Sequence, residues 1–340
     1  MLISRKKKMI NVSYSEQTKI PNQLFRGLYE DISVIGKGGF GLVLKITEKS
    51  TGIPFAAKVI KIDEKEDKEL VDNELVLFTA GIMHKNIVQI FRYFQHENWH
   101  MFVMELGICN LLQEINESKI KGSKGKRFGF SFSHTIKILS DILEALIYTS
   151  NKNICYRDVK SNNVIKFGDC YKVADWGTAY KKKQNEWNFS TIMTRKQDGV
   201  AGTFLYMAPE LAQEISKGRL FNENQKNQNL KINFEKSDVF SLGMLILQIY
   251  FGFSTQELID FKKEIINDNK TIGSTLLEYN KEKEAPEDFC FLVSQMLSFD
   301  YNYRPRLTDI KLMVDKQKNE EEFENIKLVP IKKSNFFSLW

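Results

Sequence analysis

Residues 155–177 read CYRDVKSNNVIKFGDCYKVADWG, and the rest of the chain is placed by its relation to them. The stretch holds Asp158, Lys160 two residues on, Asn163 five residues on and, after a short strand-like run, Asp175 beside Trp176 and Gly177. Three oxygen-bearing side chains and one ammonium within about twenty residues suit a site that handles metal-bound phosphate and a hydroxyl nucleophile. Just upstream, HTIKILSDILEALIYTSN carries Ile136, Leu139, Leu143, Leu146 and Ile147 on one helical face, with Ser133 as its expected N-cap. A helix packed beneath the stretch would hold Asp158 still, and chemistry of this kind depends mainly on positioning.

The stretch resembles the catalytic loop and metal-binding turn of the eukaryotic protein kinases, whose patterns are H-R-D-x-K-x-x-N and D-F-G. Tyr156 stands where the first pattern has His, and Trp176 where the second has Phe. The resemblance implies that Asp158 accepts the proton of a substrate hydroxyl and that Lys160 neutralises the transferred phosphoryl group. It also implies that Asn163 and Asp175 hold Mg2+ ions bridging the phosphates of ATP. Lys160 makes the likeness one to the serine/threonine type. Tyr156 and Trp176 are expected to pack, with the bulk and indole N–H of Trp176 restraining the metal-binding turn.

Towards the N-terminus, YEDISVIGKGGFGLVLKITEKSTGIPFAAKVIKI predicts three antiparallel strands at about 29–37, 41–48 and 53–61. Gly36, Gly38 and Gly41, with Val43, match G-x-G-x-x-G-x-V; such glycines bring backbone N–H groups close to phosphate, and Phe40 at the tip would shield it from water. A dinucleotide-binding unit uses nearly the same glycines but needs a helix after them, whereas these sit between two strands. Lys58 lies within AAKVI, and an ammonium in so apolar a strand is held by an acid or a phosphate. The next segment, KEDKELVDNELVLFTAGI, has Leu70, Val71, Leu75, Leu77 and Phe78 at approximate helical spacing and Gly81 as its stop. Glu74 is the best partner for Lys58 on this helix, with Glu69 the alternative. NIVQIFRYF and WHMFVMEL read as buried strands, giving five strands and one helix. The kinase resemblance puts Met104 at the back of a nucleotide pocket and Glu105–Gly107, with Leu106, at its hinge. It adds Ile35, Lys37, Gly39, Ala56 and Ile165 to the residues around ATP.

Towards the C-terminus, Ala208–Pro209–Glu210 matches the A-P-E boundary of the same family, and Thr203 sits where serine/threonine kinases have a threonine facing the catalytic Asp and Lys. Ser190, Thr191 and Thr194 lie between; phosphate placed there by an upstream activating kinase would pair with Arg157 and order the segment. Residues 211–235, rich in Asn, Gln and Lys, read as an insertion. SDVFSLGMLILQIYFG is apolar nearly all round, the pattern of a helix buried at a lobe's centre. By resemblance, Asp238 bonds to the catalytic-loop backbone and Arg304 forms a buried ion pair with Glu210.

The chain of 340 residues is long enough for one two-lobed domain with a well-buried core. A hydrophobic fraction of 42% and six prolines argue for a folded protein. The four cysteines are far apart and form no C-x-x-C pair, and the four histidines share no ligand spacing, so a reducing compartment and no zinc site are expected. The net charge of +6 is dispersed, and no nucleic-acid partner is expected. No apolar run reaches the length of a membrane span, and MLISRKKKMIN lacks the apolar core of a signal peptide.

The expected fold class is α+β and bilobal: a small five-stranded antiparallel β lobe with one helix, and a larger, mainly α-helical lobe. The expected layout is a flexible basic extension at 1–27, a kinase-like domain at 28–315 and a tail at 316–340. Within the domain, the small lobe spans about 28–104, the hinge 105–107 and the large lobe 108–315. The implied activity is transfer of phosphate from ATP, with Mg2+, to Ser/Thr of protein substrates, in the cytoplasm with nuclear entry left open. The alternative is a scaffold or allosteric binding module of the pseudokinase type. A kinase of small hydroxylated molecules is disfavoured by the intact A-P-E segment.

Overall fold

The computed structural model describes residues 20–38, 41–63, 65–121, 129–181, 204–216, 233–267, 272–281, 283 and 285–318. The chain opens with a sheet built from β1 (Tyr29–Gly38), β2 (Gly41–Glu48) and β3 (Pro54–Lys61). The helix α1 (Lys65–Thr79) follows, and β4 (Ile90–His96) and β5 (Trp99–Met104) complete the sheet in the antiparallel order β1-β2-β3-β5-β4. Alternation along the strands divides the side chains between two cores. Ala57, Val59, Met101 and Val103 join Leu44 and Ile46 on one face. Ile60 and Phe102 join Val71 of α1 on the other. Lys58, two residues before Ile60, is therefore on the side that faces α1. Gly41 shows why the hairpin needs glycine: its φ is +135°, and a Cβ would lie 2.2 Å from the Val59 carbonyl oxygen.

The first core extends beyond the sheet. Ile20, Leu24 and Phe25 are buried in it, the last two from a 3-10 turn at Asn22–Phe25 that ends on Arg26 in the left-handed region. The extension expected over 1–27 therefore gives up its last residues to the small lobe. Two apolar side chains are enough to anchor such a turn, and two positions carry no periodicity to read.

Beyond β5 come β6 (Cys109–Asn110), α2 (Leu111–Lys121) and α3 (Phe132–Ser150), then β7 (Ile154–Cys155), β8 (Val164–Phe167), β9 (Cys170–Val173) and β10 (Tyr180–Lys181). The large lobe is completed by α4 (Pro209–Ser216), α5 (Phe234–Ile249), α6 (Thr255–Asn267), α7 (Ile272–Asn280), α8 (Glu287–Met296) and α9 (Leu307–Lys318). Every residue of α5 from Ser237 to Ile249 is buried. At about 1.5–3 kcal/mol for each large apolar side chain, this helix is the lobe's main stabilising element. α3 is capped by Ser131, whose hydroxyl accepts the His134 N–H at 3.3 Å, and not by Ser133. Phe132 packs edge-on against Tyr250 and Phe289, so the helix starts early enough to include it, and the serine one residue before takes the cap.

The insertion expected over 211–235 is also narrower. Leu211 lies in α4, buried with Met207 and Phe234, and Asn233 caps α5 through its side chain. Residues 217–232 lie outside the described residues. The two lobes are stitched together behind the cleft. The N–H groups of Val88 and Val173 donate to the carbonyls of Val173 and Asn86, and the Asn86 carboxamide donates to the Tyr171 carbonyl. Lys85 pairs with Glu144 of α3 at 2.7 Å, and His84 stacks on Tyr148. No helix among the described residues is long and apolar enough to cross a membrane.

Candidate active site

β7 and β8 are too short to stand alone, and the loop between them, residues 156–163, is held from beneath. The Asp238 carboxylate on α5 accepts the backbone N–H of Tyr156 at 3.0 Å and of Arg157 at 2.7 Å. Burial pushes the Asp238 carboxyl up to about 7, and the two backbone donors pull against it. Arg157 adopts φ +69° and Asp175 +60°, a left-handed backbone that non-glycine residues rarely take and that collects at functional sites.

On this floor Asp158 is 4% exposed. Its Oδ2 accepts Lys160 Nζ at 2.6 Å and Asn163 Nδ2 at 2.8 Å. Burial raises its pKa against the opposing pull of Lys160. The Asn163 carboxamide also donates to the Asp158 carbonyl at 3.1 Å, which leaves its own oxygen turned from that contact.

Lys58, 6% exposed, links the lobes. Its Nζ lies 2.5 Å from Glu74 Oε1 on α1 and 2.6 Å from Asp175 Oδ1 at the end of β9. Burial works against the ammonium, but the carboxylates of Asp175 and Glu74 outweigh it and hold the lysine above its usual pKa. Burial raises Glu74 despite Lys58. In Asp175, whose side chain is 25% exposed, Lys58 overrides the burial cost and holds the carboxyl low. Glu69 takes no part in this pair.

The remaining sequence-derived positions fall into four groups. Ala56 pairs with Met104, and Lys58 with Val43 and Phe102, so strand register places β2, β3 and β5 residues around one end of the cleft. Gly36 sits against the Val43 side chain, Gly38 pairs with Gly41, and Ile35 and Lys37 lie on the same strand, with Ile35 exposed. Gly39 and Phe40 lie outside the described residues, as do Ser190, Thr191, Thr194 and Thr203. At the hinge, the Glu105 N–H donates to the Gln89 carbonyl at 3.1 Å, and its side chain accepts the Gln89 N–H and pairs with Lys172. Leu106 follows it, half-buried. Gly107 approaches β8 so closely that a Cβ would lie 2.2 Å from Ile165 Cγ2.

The pattern reading missed three contacts. The Tyr156 hydroxyl donates to the Ala174 carbonyl at 2.6 Å, the Asn73 carboxamide to the Gly177 carbonyl at 2.7 Å, and Lys172 reaches the hinge. Each is a tertiary approach between distant segments, and nothing local to these residues announces it. The donor set suits Mg2+: a carboxamide oxygen and a carboxylate are hard ligands for an ion that keeps phosphate and water as its other partners. Among the described residues no group of three or more His, Cys, Asp or Glu is arranged to hold a metal alone.

Residues 29–313 match the protein kinase domain family. The chain belongs to the eukaryotic protein kinases. Curated kinases of several lineages are similar to it at low identity. One is the 3-phosphoinositide-dependent protein kinase B of Dictyostelium discoideum, 28% identical over 316 residues, 91% of this chain and 30% of that relative. Another is the human protein kinase C eta type, 29% identical over 278 residues, 79% of this chain and 35% of that relative. A third, the probable serine/threonine-protein kinase nek3 of Dictyostelium discoideum, is 29% identical over 294 residues, 83% of this chain and 23% of that relative. The kinase chain thus spans about a third or less of the length of these relatives. Its bilobal fold, with the five-stranded antiparallel lobe, is the one expected from the sequence.

Proposed function

We propose that this kinase is an active serine/threonine enzyme that moves the γ-phosphate of ATP onto hydroxyls of protein substrates, with Asp158 as general base. One observation carries the reading. Asp158 Oδ2 is occupied by Lys160 and Asn163, while Oδ1 makes no hydrogen bond among the described residues and is left for an incoming hydroxyl.

In the proposed step the substrate oxygen attacks the γ-phosphorus, its proton passes to Asp158, and the bond to the β-phosphate oxygen breaks to release ADP. Lys58 spends two of its three N–H groups on Glu74 and Asp175, which leaves the third for the phosphates. Lys160 stands beside Asp158, where charge gathers on the transferred group. Asn163 and Asp175 would hold Mg2+, which supplies charge neutralisation at the phosphates. With the Glu105 N–H spent on Gln89, the Glu105 carbonyl and the Gly107 N–H remain as hinge groups for adenine.

Specificity for Ser and Thr draws support from Lys160 and from similarity to the probable serine/threonine-protein kinase nek3. Peptide substrates draw support from the Ala208–Glu210 segment, buried at Ala208 and Pro209 and anchored on Arg304 through Glu210. Phosphorylation of Ser190, Thr191 or Thr194 by an upstream kinase remains part of the proposal, with Arg157 as the cation beside Asp158 that would receive it. The test is transfer of labelled phosphate from ATP with Mg2+ to a peptide array, wild type against Asp158→Asn. Transfer by the wild type alone is expected; equal transfer by both removes Asp158 as the base. ATP binding without any transfer by the wild type favours the scaffold reading.

A further inference from the structure

One lysine of the large lobe sits where the helix pattern calls for an apolar side chain. α6 buries Leu258, Phe261 and Ile265, spaced three and four apart along its inward face. Lys262 lies on that same face, one turn beyond Leu258, and is half-buried. Its Nζ donates to the Phe204 carbonyl, which leaves two of its three N–H groups without a partner among the described residues. Glu210 is the one charge among those residues that acts on the ammonium, and it does so from beyond hydrogen-bonding distance. Both Glu210 oxygens are taken by Arg304, and Ser237 shares one of them. Asp260 on α6 itself is bonded to Gln256 and Lys263. Burial is therefore the stronger influence and pulls the Lys262 pKa down to about 8.

The carbonyl that Lys262 holds belongs to a segment leading to the catalytic loop. Two residues on, the Tyr206 hydroxyl lies 3.2 Å from that of Ser161, which stands between Lys160 and Asn163. The same hydroxyl donates to the Gln248 carboxamide oxygen at 2.5 Å. Phe204 and Cys155, the residue before Tyr156, both pack on the cluster of Met207, Leu211 and Phe234. Residues 204–207 thus form a short rail from Lys262 to the loop that carries Asp158. A peptide presenting its hydroxyl to Asp158 has this rail beside it, with an ammonium at the far end.

We propose that Lys262 is a specificity-determining residue, the cation that receives an Asp or Glu side chain a few residues from the acceptor hydroxyl, so that this kinase selects acidic protein segments. The inference rests on the reading of Asp158 as the base for peptide substrates and deepens it by naming the substrate class. A carboxylate would meet the two remaining N–H groups and offset the desolvation that the ammonium now bears alone. An extended peptide advances about 3.3–3.6 Å per residue, so a rail of four residues keeps the acid within a few positions of the acceptor.

A positional array of peptides around one Ser, with Asp or Glu set against Asn or Gln at each site, reads the preference as labelled phosphate from ATP with Mg2+. The wild type is expected to favour the acid at one site by about ten- to hundredfold in kcat/KM, the worth of a hydrogen bond to a charged group, mainly through KM. Lys262→Met, which completes the apolar face of α6, should level the acidic and neutral peptides, and Lys262→Glu should favour Lys or Arg at that site. In the wild type, the ratio of kcat/KM for acidic and neutral peptides should fall as pH rises through about 8, where Lys262 loses its proton. Taking the ratio cancels the titration of Asp158. Lys262→Arg should keep the acid preference and lose this pH dependence. Transfer without an acid preference overturns the proposal, and so does a wild-type ratio that stays flat with pH. A KM that Lys262→Met raises equally for acidic and neutral peptides overturns it too, since the lysine then only holds Phe204. A wild type that transfers phosphate to no peptide instead overturns the kinase reading, and this inference with it, so the two failures are told apart.

Discussion

Arg304 and Lys58 are both buried cations facing carboxylates from distant segments, yet their surroundings differ in kind. Arg304 uses all five of its N–H donors. Two go to the Glu210 carboxylate at 2.7 and 2.8 Å, and the others go to the carbonyls of Ser298, Lys236 and Phe299. The fork is closed, with one cation and one anion. In the cleft, two ammoniums, Lys58 and Lys160, face three carboxylates, Glu74, Asp158 and Asp175, and Asp158 keeps an open oxygen. The closed pair has no use for a further ligand, whereas the open cluster is short of positive charge at the place where a metal-bound nucleotide would bring it. Burial alone therefore does not separate a structural ion pair from a working one; the count of unmet partners does.

Replacing Asp158 by Asn should break the open side of this comparison most visibly. Phosphate transfer is expected to fall by about 10²–10⁴-fold, the usual worth of a positioned general base. Thermal stability should hold or rise, because burial already disfavours the Asp158 anion. A melting temperature that drops with activity would make Asp158 a structural residue like Arg304.

The closed side should break in the opposite sense. Arg304→Met removes a fully buried cation and leaves the half-buried Glu210 without its partner, and a loss of about 3–5 kcal/mol in denaturant unfolding is expected, with kcat of the folded fraction retained. Pairing it with Glu210→Leu should recover much of that loss, because an apolar pair of similar volume removes both desolvation costs. Failure of the double variant to recover would mean that the fork also aligns α4 against α5, where Ser237 shares the Glu210 carboxylate.

A third variant tests the roof of the cleft. Gly41→Ala puts a methyl 2.2 Å from the Val59 carbonyl at φ +135°, so a cost of about 1–3 kcal/mol is expected, concentrated in the β1–β2 hairpin. The KM for ATP should rise while the exchange protection of α5 stays unchanged.

How far these regions were legible in the sequence follows from what sets each contact. Asp158, Asn163 and Asp175 lie on one short stretch, and the glycines of β1–β2 carry a backbone requirement that other residues cannot meet, so local spacing exposes both. Lys58 was legible because an ammonium in an apolar strand needs a partner, and Glu74 because helical spacing brings it to the strand. Asn73 and the Tyr156 hydroxyl were not, since what decides them is how closely α1 and the catalytic loop approach the Asp175 turn. The cap of α3 was misplaced for a similar reason: two serines carry equal capping chemistry, and the packing of Phe132 chooses between them. Leu24 and Phe25 show the same limit, a buried anchor two residues long within a polar setting.

The last effect expected is a slope rather than a step and concerns Asp238, which belongs to neither side: it is closed like Arg304 but carries a charge that no cation at hydrogen-bonding distance balances. Its carboxyl stands at about 7 in the folded protein against an ordinary value of 3.8. A carboxyl raised on folding contributes stability that is fully present below the ordinary value and is lost as pH rises through about 7. Unfolding free energy measured from pH 4 to 8 should therefore carry a falling component of at most about 1.4 kcal/mol per pH unit, the limit for one proton. Asp238→Asn should lose that slope while being less stable throughout, because a single carboxamide oxygen replaces the two carboxylate oxygens that accept the Tyr156 and Arg157 N–H groups. Equal slopes in the two proteins would show that the backbone donors hold Asp238 ionised, and would move it to the open side, as a charge kept on purpose beneath the catalytic loop.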